Sequence, residues 1–189
     1  MIENLNSLDQ RLFLLLNSFH ATWLNEFMRF ISGYVVWVPL MFFIFVLSYK
    51  KLGAKNTSYF AFFCILVIIA CDATASSIIK NTFNRLRPCR NPELSELIHS
   101  FGQKCGGKYG FVSSHAANAF GLILFSVRTL NFSFYKAALL ILIPVLISYS
   151  RIYLGVHYPG DILGGFIVAF IWSWAFSEIF KSFLRRESR

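Results

Sequence analysis

The stretch Ile31–Tyr49, ISGYVVWVPLMFFIFVLSY, runs for 19 residues without a charged side chain. The hydrocarbon core of a bilayer takes roughly 20 apolar residues as a helix, and only a structure that satisfies its own backbone hydrogen bonds can cross it. The stretch is therefore read as a membrane span, and its neighbours repeat the pattern. Ser58–Ile79 is a second span interrupted only by Asp72; Ala116–Val127, Phe134–Ser150 and Ile162–Phe180 supply a third, fourth and fifth, each short or with a lone charge near one end. The expected fold is all-α: a polytopic membrane helical bundle of about five transmembrane helices, forming a single membrane-embedded domain over residues 1–189.

The first 30 residues differ. Leu12, Leu16, Phe19, Trp23, Phe27 and Phe30 recur at steps of three and four, while Asn17, Ser18, His20, Asn25, Glu26 and Arg29 take the other faces. That is the period of an amphipathic helix, expected to lie in the interface rather than cross, with a break near His20. Glu3 and Asp9 precede the apolar stretch without a basic n-region, which argues against a cleaved signal peptide.

Composition agrees: the chain is 56% apolar and only 14% charged, too oily for a water-soluble protein of 189 residues. The net charge of +9 has no basic helix, RNA-binding signature or zinc-finger spacing beside it, so nucleic acid is not an expected partner. Topology accounts for part of the charge. Lys50, Lys51 and Lys55, then Arg128 and Lys136, then Lys181, Arg185, Arg186 and Arg189 fall on one side. The positive-inside rule makes that side cytoplasmic. The outer side then receives the N-terminal helix, the loop from 81 to 114 and the loop around 150–161, yet it also holds Lys80, Arg85, Arg87, Arg90, Lys104, Lys108 and Arg151. Those outer cations need a task of their own.

Three motifs supply one. In KNTFNRLRP, Lys80 closes the second span and Arg87-Pro88 follow after six residues; in FVSSHAANAFG, Ser113, Ser114 and His115 precede the third. In SRIYLGVHYPGD, Ser150-Arg151 is followed by His157 and then Asp161 four residues on, a spacing that on a helical turn brings imidazole and carboxylate together. Singly, each has an ordinary reading: lysine snorkelling at a span end, a serine helix cap, a satisfied interfacial cluster. Jointly, one anionic ligand between the helix ends explains all of them. Asp72, Ser76 and Lys80 repeat at four-residue steps, a polar stripe that either lines a substrate groove or is satisfied by neighbouring helices.

The pattern K-x6-RP, SxH, SR-x5-H-x3-D over Lys80 to Asp161 resembles the type 2 phosphatidic acid phosphatase (PAP2) family of membrane lipid phosphatases, whose site is shared with vanadium haloperoxidases. Val112 stands where that family usually has proline and Ser114 where it often has glycine, departures that bear on loop shape, not on reacting groups. The resemblance implies a phosphatase with a helical-bundle core, with His157 as nucleophile forming a phosphohistidine, Asp161 fixing its tautomer and His115 as general acid and then base. Lys80, Arg87, Ser113, Ser114 and Arg151 would hold the phosphate. No cofactor is implied, and no metal, since no second carboxylate cluster or His-x3-His pair is present.

A basic pocket at headgroup depth suits a lipid phosphate, and the short chain is similar to small bacterial members that act on undecaprenyl diphosphate. Lipid A 1-phosphate, phosphatidylglycerol phosphate and transfer of the phosphoryl group to an alcohol are the alternatives; a non-catalytic lipid carrier would leave His157 and Asp161 without a task. The expected setting is a bacterial inner membrane with the site facing the periplasm or outside, and the sequence is silent on oligomeric state. Cys64 and Cys71 read as packing residues. Cys89 and Cys105, both in the outer loop, are candidates to pair in an oxidising compartment. The loop also shows a helical patch over Pro92–Phe101 and a solvated His99.

Overall fold

The computed structural model describes residues 2–94, 96–101 and 104–187; Arg189, counted among the cytoplasmic cations, lies outside them. Two helices, α1 (Ile2–Ser18) and α2 (Thr22–Ser32), make up the N-terminal region and are parted at His20. Leu12, Phe19, Trp23, Phe27 and Phe30 of the expected apolar stripe are exposed, as an interfacial helix requires. Asn17, by contrast, is buried and donates to the carbonyls of Ile152 (3.1 Å) and Tyr153 (2.8 Å), which fixes α1 to the bundle.

The helix α3 (Trp37–Asp72) holds most of the first two expected spans; Ile31–Val36 of the first precede it in the end of α2 and a 3-10 turn, and Ala73–Ile79 of the second follow it. They are parted at Gly53, whose φ of 75° and ψ of 173° no other residue adopts without strain. Met41 and Phe45 share an apolar cavity with Phe60 and Ile65, so the chain folds back there as a hairpin. The second limb continues through a π-helical segment, Ala73–Ile79, into α4 (Lys80–Phe83). The long helices α6 (Phe134–Tyr153) and α7 (Pro159–Glu187) each have the length and composition of a membrane span.

At the centre stands α5 (Ser114–Thr129), 16 residues long and buried along most of its length. At the α-helical rise it reaches only about 24 Å, short of the roughly 30 Å hydrocarbon core. The small residues Ala116, Ala117 and Ala119, all fully buried, let neighbouring backbones approach closely. Farther along, Phe125 stacks on Phe60 at 5.3 Å and meets Phe180 edge-on at 5.9 Å.

Three contacts collect the basic connections at one end. Lys51 Nζ donates to the Leu130 carbonyl at 2.5 Å, Lys55 pairs with Glu187 at 2.6 Å, and Arg128 pairs with Glu178 at 3.1 Å. The motif-bearing ends of α4, α5, α6 and α7 lie at the other. Helix α6 extends past the expected Ser150 to Tyr153, and α7 starts at Pro159 rather than Ile162, because proline is pre-set for a first helical turn. The expected helical patch at Pro92–Phe101 is a run of turns in its described residues: Asn91 Oδ1 accepts the Glu93 N–H, a local bond that competes with helix initiation.

Replacing Phe180 by alanine is expected to lower the unfolding temperature in detergent. The penalty should fall below the roughly 3–5 kcal/mol of water-soluble cores, since lipid tails are as apolar as the side chain removed. Thermal denaturation of the variant measures it.

Candidate active site

The site forms where α5 and α7 begin and α6 ends. The Ser113 N–H donates to the Asp161 carbonyl at 2.9 Å, tying the two helix starts together. Below them the segment after α4 pairs with the end of the outer loop: the Gly110 N–H donates to the Arg85 carbonyl (2.8 Å), and Leu86 and Tyr109 form an antiparallel bridge. Arg85 and Arg87, separated by one residue of an extended segment, are thereby both delivered to the site. Gly110 is needed in that pairing, since a Cβ there would sit 3.0 Å from Asp161 Oδ2 and 3.2 Å from Arg87 Cγ.

Asp161, with no exposed side-chain surface, is met by donors on both oxygens. Oδ2 accepts the Tyr158 N–H at 3.0 Å and faces His157 Nδ1 at 3.2 Å, while Oδ1 accepts from Arg85 Nη1 at 3.0 Å. On the far side of the imidazole, His157 Nε2 lies 3.1 Å from Arg87 Nη1. A guanidinium only donates, so Nε2 must accept and the ring proton sits on Nδ1, towards Asp161. Burial holds the His157 pKa well below its ordinary value, and Arg87, Arg151 and Lys80 oppose a second proton. The ring is neutral, with its lone pair on Nε2.

Around that lone pair stand the cations. Arg87 and Arg151 are buried, and each has its Nε without a hydrogen-bond partner. Arg151 also donates to Ser32 Oγ at the end of α2. Lys80 Nζ donates to Ser114 Oγ at 2.6 Å. A cavity of about 390 Å³ is lined by Lys80, Arg87, Ser114, His115, Arg151 and His157. Asp161 supports this wall from behind. Ser113, expected on the phosphate, is instead fully buried, and its Oγ caps α5 by accepting the Ala116 N–H at 3.4 Å. Its neighbour Ser114 presents its hydroxyl to the cavity.

Sequence reasoning left Arg85 without a role beyond its charge. It pairs with Asp9 of α1 at 2.7 Å as well as with Asp161, and it lies over the Tyr158 ring at 4.0 Å. Asp9 also accepts the Gly160 N–H at 2.8 Å, so α1 contacts the start of α7 directly. The alternation of Arg85 and Arg87 about Leu86 was the available sign. Asn118, one turn beyond Ser114, was also missed; its amide donates to Asp72 Oδ1 at 3.3 Å. His99 is exposed as expected, and its ring lies 3.8 Å from that of His20. Cys89 and Cys105 are joined by a disulfide with Cα atoms 5.9 Å apart, whereas Cys64 and Cys71 are free and buried.

The profile of the PAP2 superfamily matches residues 60–185. The chain is 34% identical over 178 residues to a lipid A 4'-phosphatase of Bacteroides thetaiotaomicron, a match covering 93% of this chain and 78% of that one. It is 27% identical over 164 residues to an undecaprenyl-diphosphatase of Sulfolobus acidocaldarius, covering 83% and 71% of the two chains. The crystal structure of Aquifex aeolicus LpxE superposes with a TM-score of 0.70 at 26% identity, over 90% of this chain and 95% of that one.

The disulfide closes a loop of sequence separation 16. Replacing both of its cysteines by serine is expected to destabilise the protein by about 3 kcal/mol through loop-closure entropy. Denatured without reductant, the unmodified protein should titrate two free thiols; four would contradict the pairing.

Proposed function

The chain belongs to the PAP2 superfamily, a membrane lipid phosphatase, and we propose that it hydrolyses a phosphate ester on the sugar headgroup of a lipid A-type glycolipid through a phosphohistidine. The observation that carries the reading is the convergence of Lys80, Arg87 and Arg151 on one cavity with a neutral, carboxylate-backed His157. Undecaprenyl diphosphate, the substrate expected from chain size, is the less favoured of the two. The lipid A 4'-phosphatase relative matches at higher identity and over more of both chains than the undecaprenyl-diphosphatase does.

Phosphoryl transfer asks a protein mainly for in-line placement and for charge around three equatorial oxygens. Arg87 and Arg151 would each offer a planar fork to those oxygens, with Lys80 as a point charge and the Ser114 hydroxyl as a further donor. A bound phosphate would draw Arg87 from His157 Nε2, which then attacks phosphorus. Burial and the nearby Arg151, Lys80 and Arg87 cations hold the His115 pKa down to about 3, and the charge of the bound phosphate would offset those cations so that His115 takes up a proton from solvent. The bond to the leaving oxygen then breaks as His115 gives that oxygen the proton. Asp161 accepts from Nδ1–H and balances the charge that develops on the ring. In the second step His115 takes a proton from water, the resulting hydroxide displaces His157, and inorganic phosphate leaves. The apolar lining from Trp37 and Ile68 would let a phosphate reach these groups while the acyl chains stay in lipid. An outward-facing site in a bacterial inner membrane fits the basic connections gathered at the opposite end.

His157→Ala is expected to lower phosphate release by about a thousandfold or more. Rapid quenching with a radiolabelled substrate should trap label on the unmodified protein and none on this variant. Phosphate release from a phosphorylated acylglucosamine lipid, undecaprenyl diphosphate and phosphatidylglycerophosphate ranks the substrates; no release from any of them would sink the reading.

Arg85→Ala removes a charged hydrogen bond from Asp161 and should lower kcat by roughly 10–100-fold with little change in KM. Arg85→Lys should recover part of that loss. Because His157 already lacks a second proton in the free enzyme, the acid limb of kcat/KM should not fall near pH 6.5, the ordinary histidine range, on its account. A histidine whose pKa is lowered stays neutral until the pH drops through that lower value.

A further inference from the structure

We propose that Asp72 and Asn118, with the indole of Trp37, form a saccharide subsite that receives the hydroxyl and acylamide groups of the sugar next to the scissile phosphate. This rests on the glycolipid reading above and names the residues that would give it specificity. The cavity is not uniform: its cations lie at one end, and Trp37, Ile68, Asp72 and Asn118 line it elsewhere. A continuous polar path joins the two. Lys80 Nζ donates to Ser114 Oγ (2.6 Å), Ser114 Oγ meets Ser76 Oγ (2.9 Å), and Ser76 Oγ donates to Asp72 Oδ1 (3.4 Å). Asp72 and Lys80 are eight residues apart on one helical run. That spans about 12 Å at the α-helical rise and less where the run is π-helical, so a sugar ring attached to a phosphate among the cations would lie beside Asp72.

The chemistry of this part of the wall is that of an acceptor surface. Asp72 makes no salt bridge among the described residues, although it sits within a helical run long and apolar enough to span the membrane. An ionisable group there marks a ligand path by default. Its side-chain contacts, to Ser76 and Asn118, both use Oδ1 and are long. Asn118 spends its N–H on Asp72, and its own Oδ1 is buried with no partner. A buried acceptor left open is uncommon in a folded protein. Hydroxyl and acylamide N–H groups would fill these acceptors, while Trp37 offers an aromatic plane to the C–H face of a pyranose, the usual mixture of apolar wall and a few placed polar groups. A polyprenyl chain joins its phosphate through hydrocarbon and would leave Asp72 and Asn118 unpaired. A site built to hydrogen-bond its substrate discriminates strongly against an analogue that lacks the donors.

The test compares two substrates on the purified full chain in detergent: a synthetic phosphorylated N-acylglucosamine lipid and a polyprenyl monophosphate. In Asp72→Asn and Asn118→Ala, the ratio of kcat/KM for the sugar lipid to that for the polyprenyl lipid should fall about tenfold, with the change in KM. Taking the ratio cancels any general loss of activity; a ratio equal to that of the unmodified protein in both variants overturns the subsite. Equilibrium binding of a fluorescent N-acylglucosamine lipid without phosphate separates this from the phosphatase reading. Binding that weakens about tenfold in Asn118→Ala supports the subsite even where no lipid is turned over. Failure to bind the unmodified protein, or equal binding to the variant, refutes it.

Discussion

The buried carboxylate of Asp161 is the constraint on which the site depends. Taking such a group out of water costs several kcal/mol unless its oxygens are satisfied. The donors that satisfy it come from separate parts of the chain: Arg85 from the extended segment after α4, the Tyr158 N–H from its own turn, and His157 from the α6–α7 connection. Its backbone carbonyl holds the start of α5 through Ser113. Arg85 carries the linkage on to Asp9, so α1 is tied to the same point. Meeting the demands of one carboxylate therefore fixes the relative positions of the segment after α4, the two helix starts and the interfacial helix.

The opposite face of the imidazole has the reverse imbalance. Asp161 is already committed to Arg85 and His157, and no salt bridge to a carboxylate is formed by Lys80, Arg87 or Arg151 among the described residues. Burial opposes charge on the Arg87 guanidinium, with Asp161 as a partial counterweight and nearby Arg90 adding to the opposition. Cations held close without a carboxylate partner strain one another by repulsion, and under the proposed phosphatase reading the cavity they line would suit a tetrahedral oxyanion. The strain is tolerated because Asp161, Val156 and Ser32 hold the surrounding groups from behind.

Much of this was legible in the chain. Uncharged runs such as Ile31–Tyr49 pointed to the bundle, and the spacing of Lys80, Arg87, His115, Arg151 and His157 picked out residues that line the cavity, with Asp161 behind its wall. Periodicity could not show that α5 is the buried centre, because a short apolar run reads alike whether it faces lipid or protein. Nor could it separate Ser113 from Ser114. Adjacent hydroxyls at a helix start compete for the cap, and the choice rests on backbone direction. Arg85 was hidden for a related reason: its partners Asp9 and Asp161 lie far away in sequence, where no local spacing connects them.

The π-helical segment Ala73–Ile79 explains why Lys80 and the rest of the polar stripe can face one groove. In a regular α-helix, residues 72, 76 and 80 drift around the axis by about 40° per four-residue step. A wider turn takes in more residues for the same rotation and keeps successive side chains more nearly aligned. Ser76 thus reaches Asp72 on one side and Ser114 on the other, and Lys80 still points at Ser114. The short α5 completes the arrangement, since its early start brings Ser114, His115 and Asn118 onto the opposite wall within two turns. Trp37 and Ile68, the polar stripe and the cations thus line one cavity, the mixture of apolar and polar surface that a lipid phosphate of the proposed kind would need.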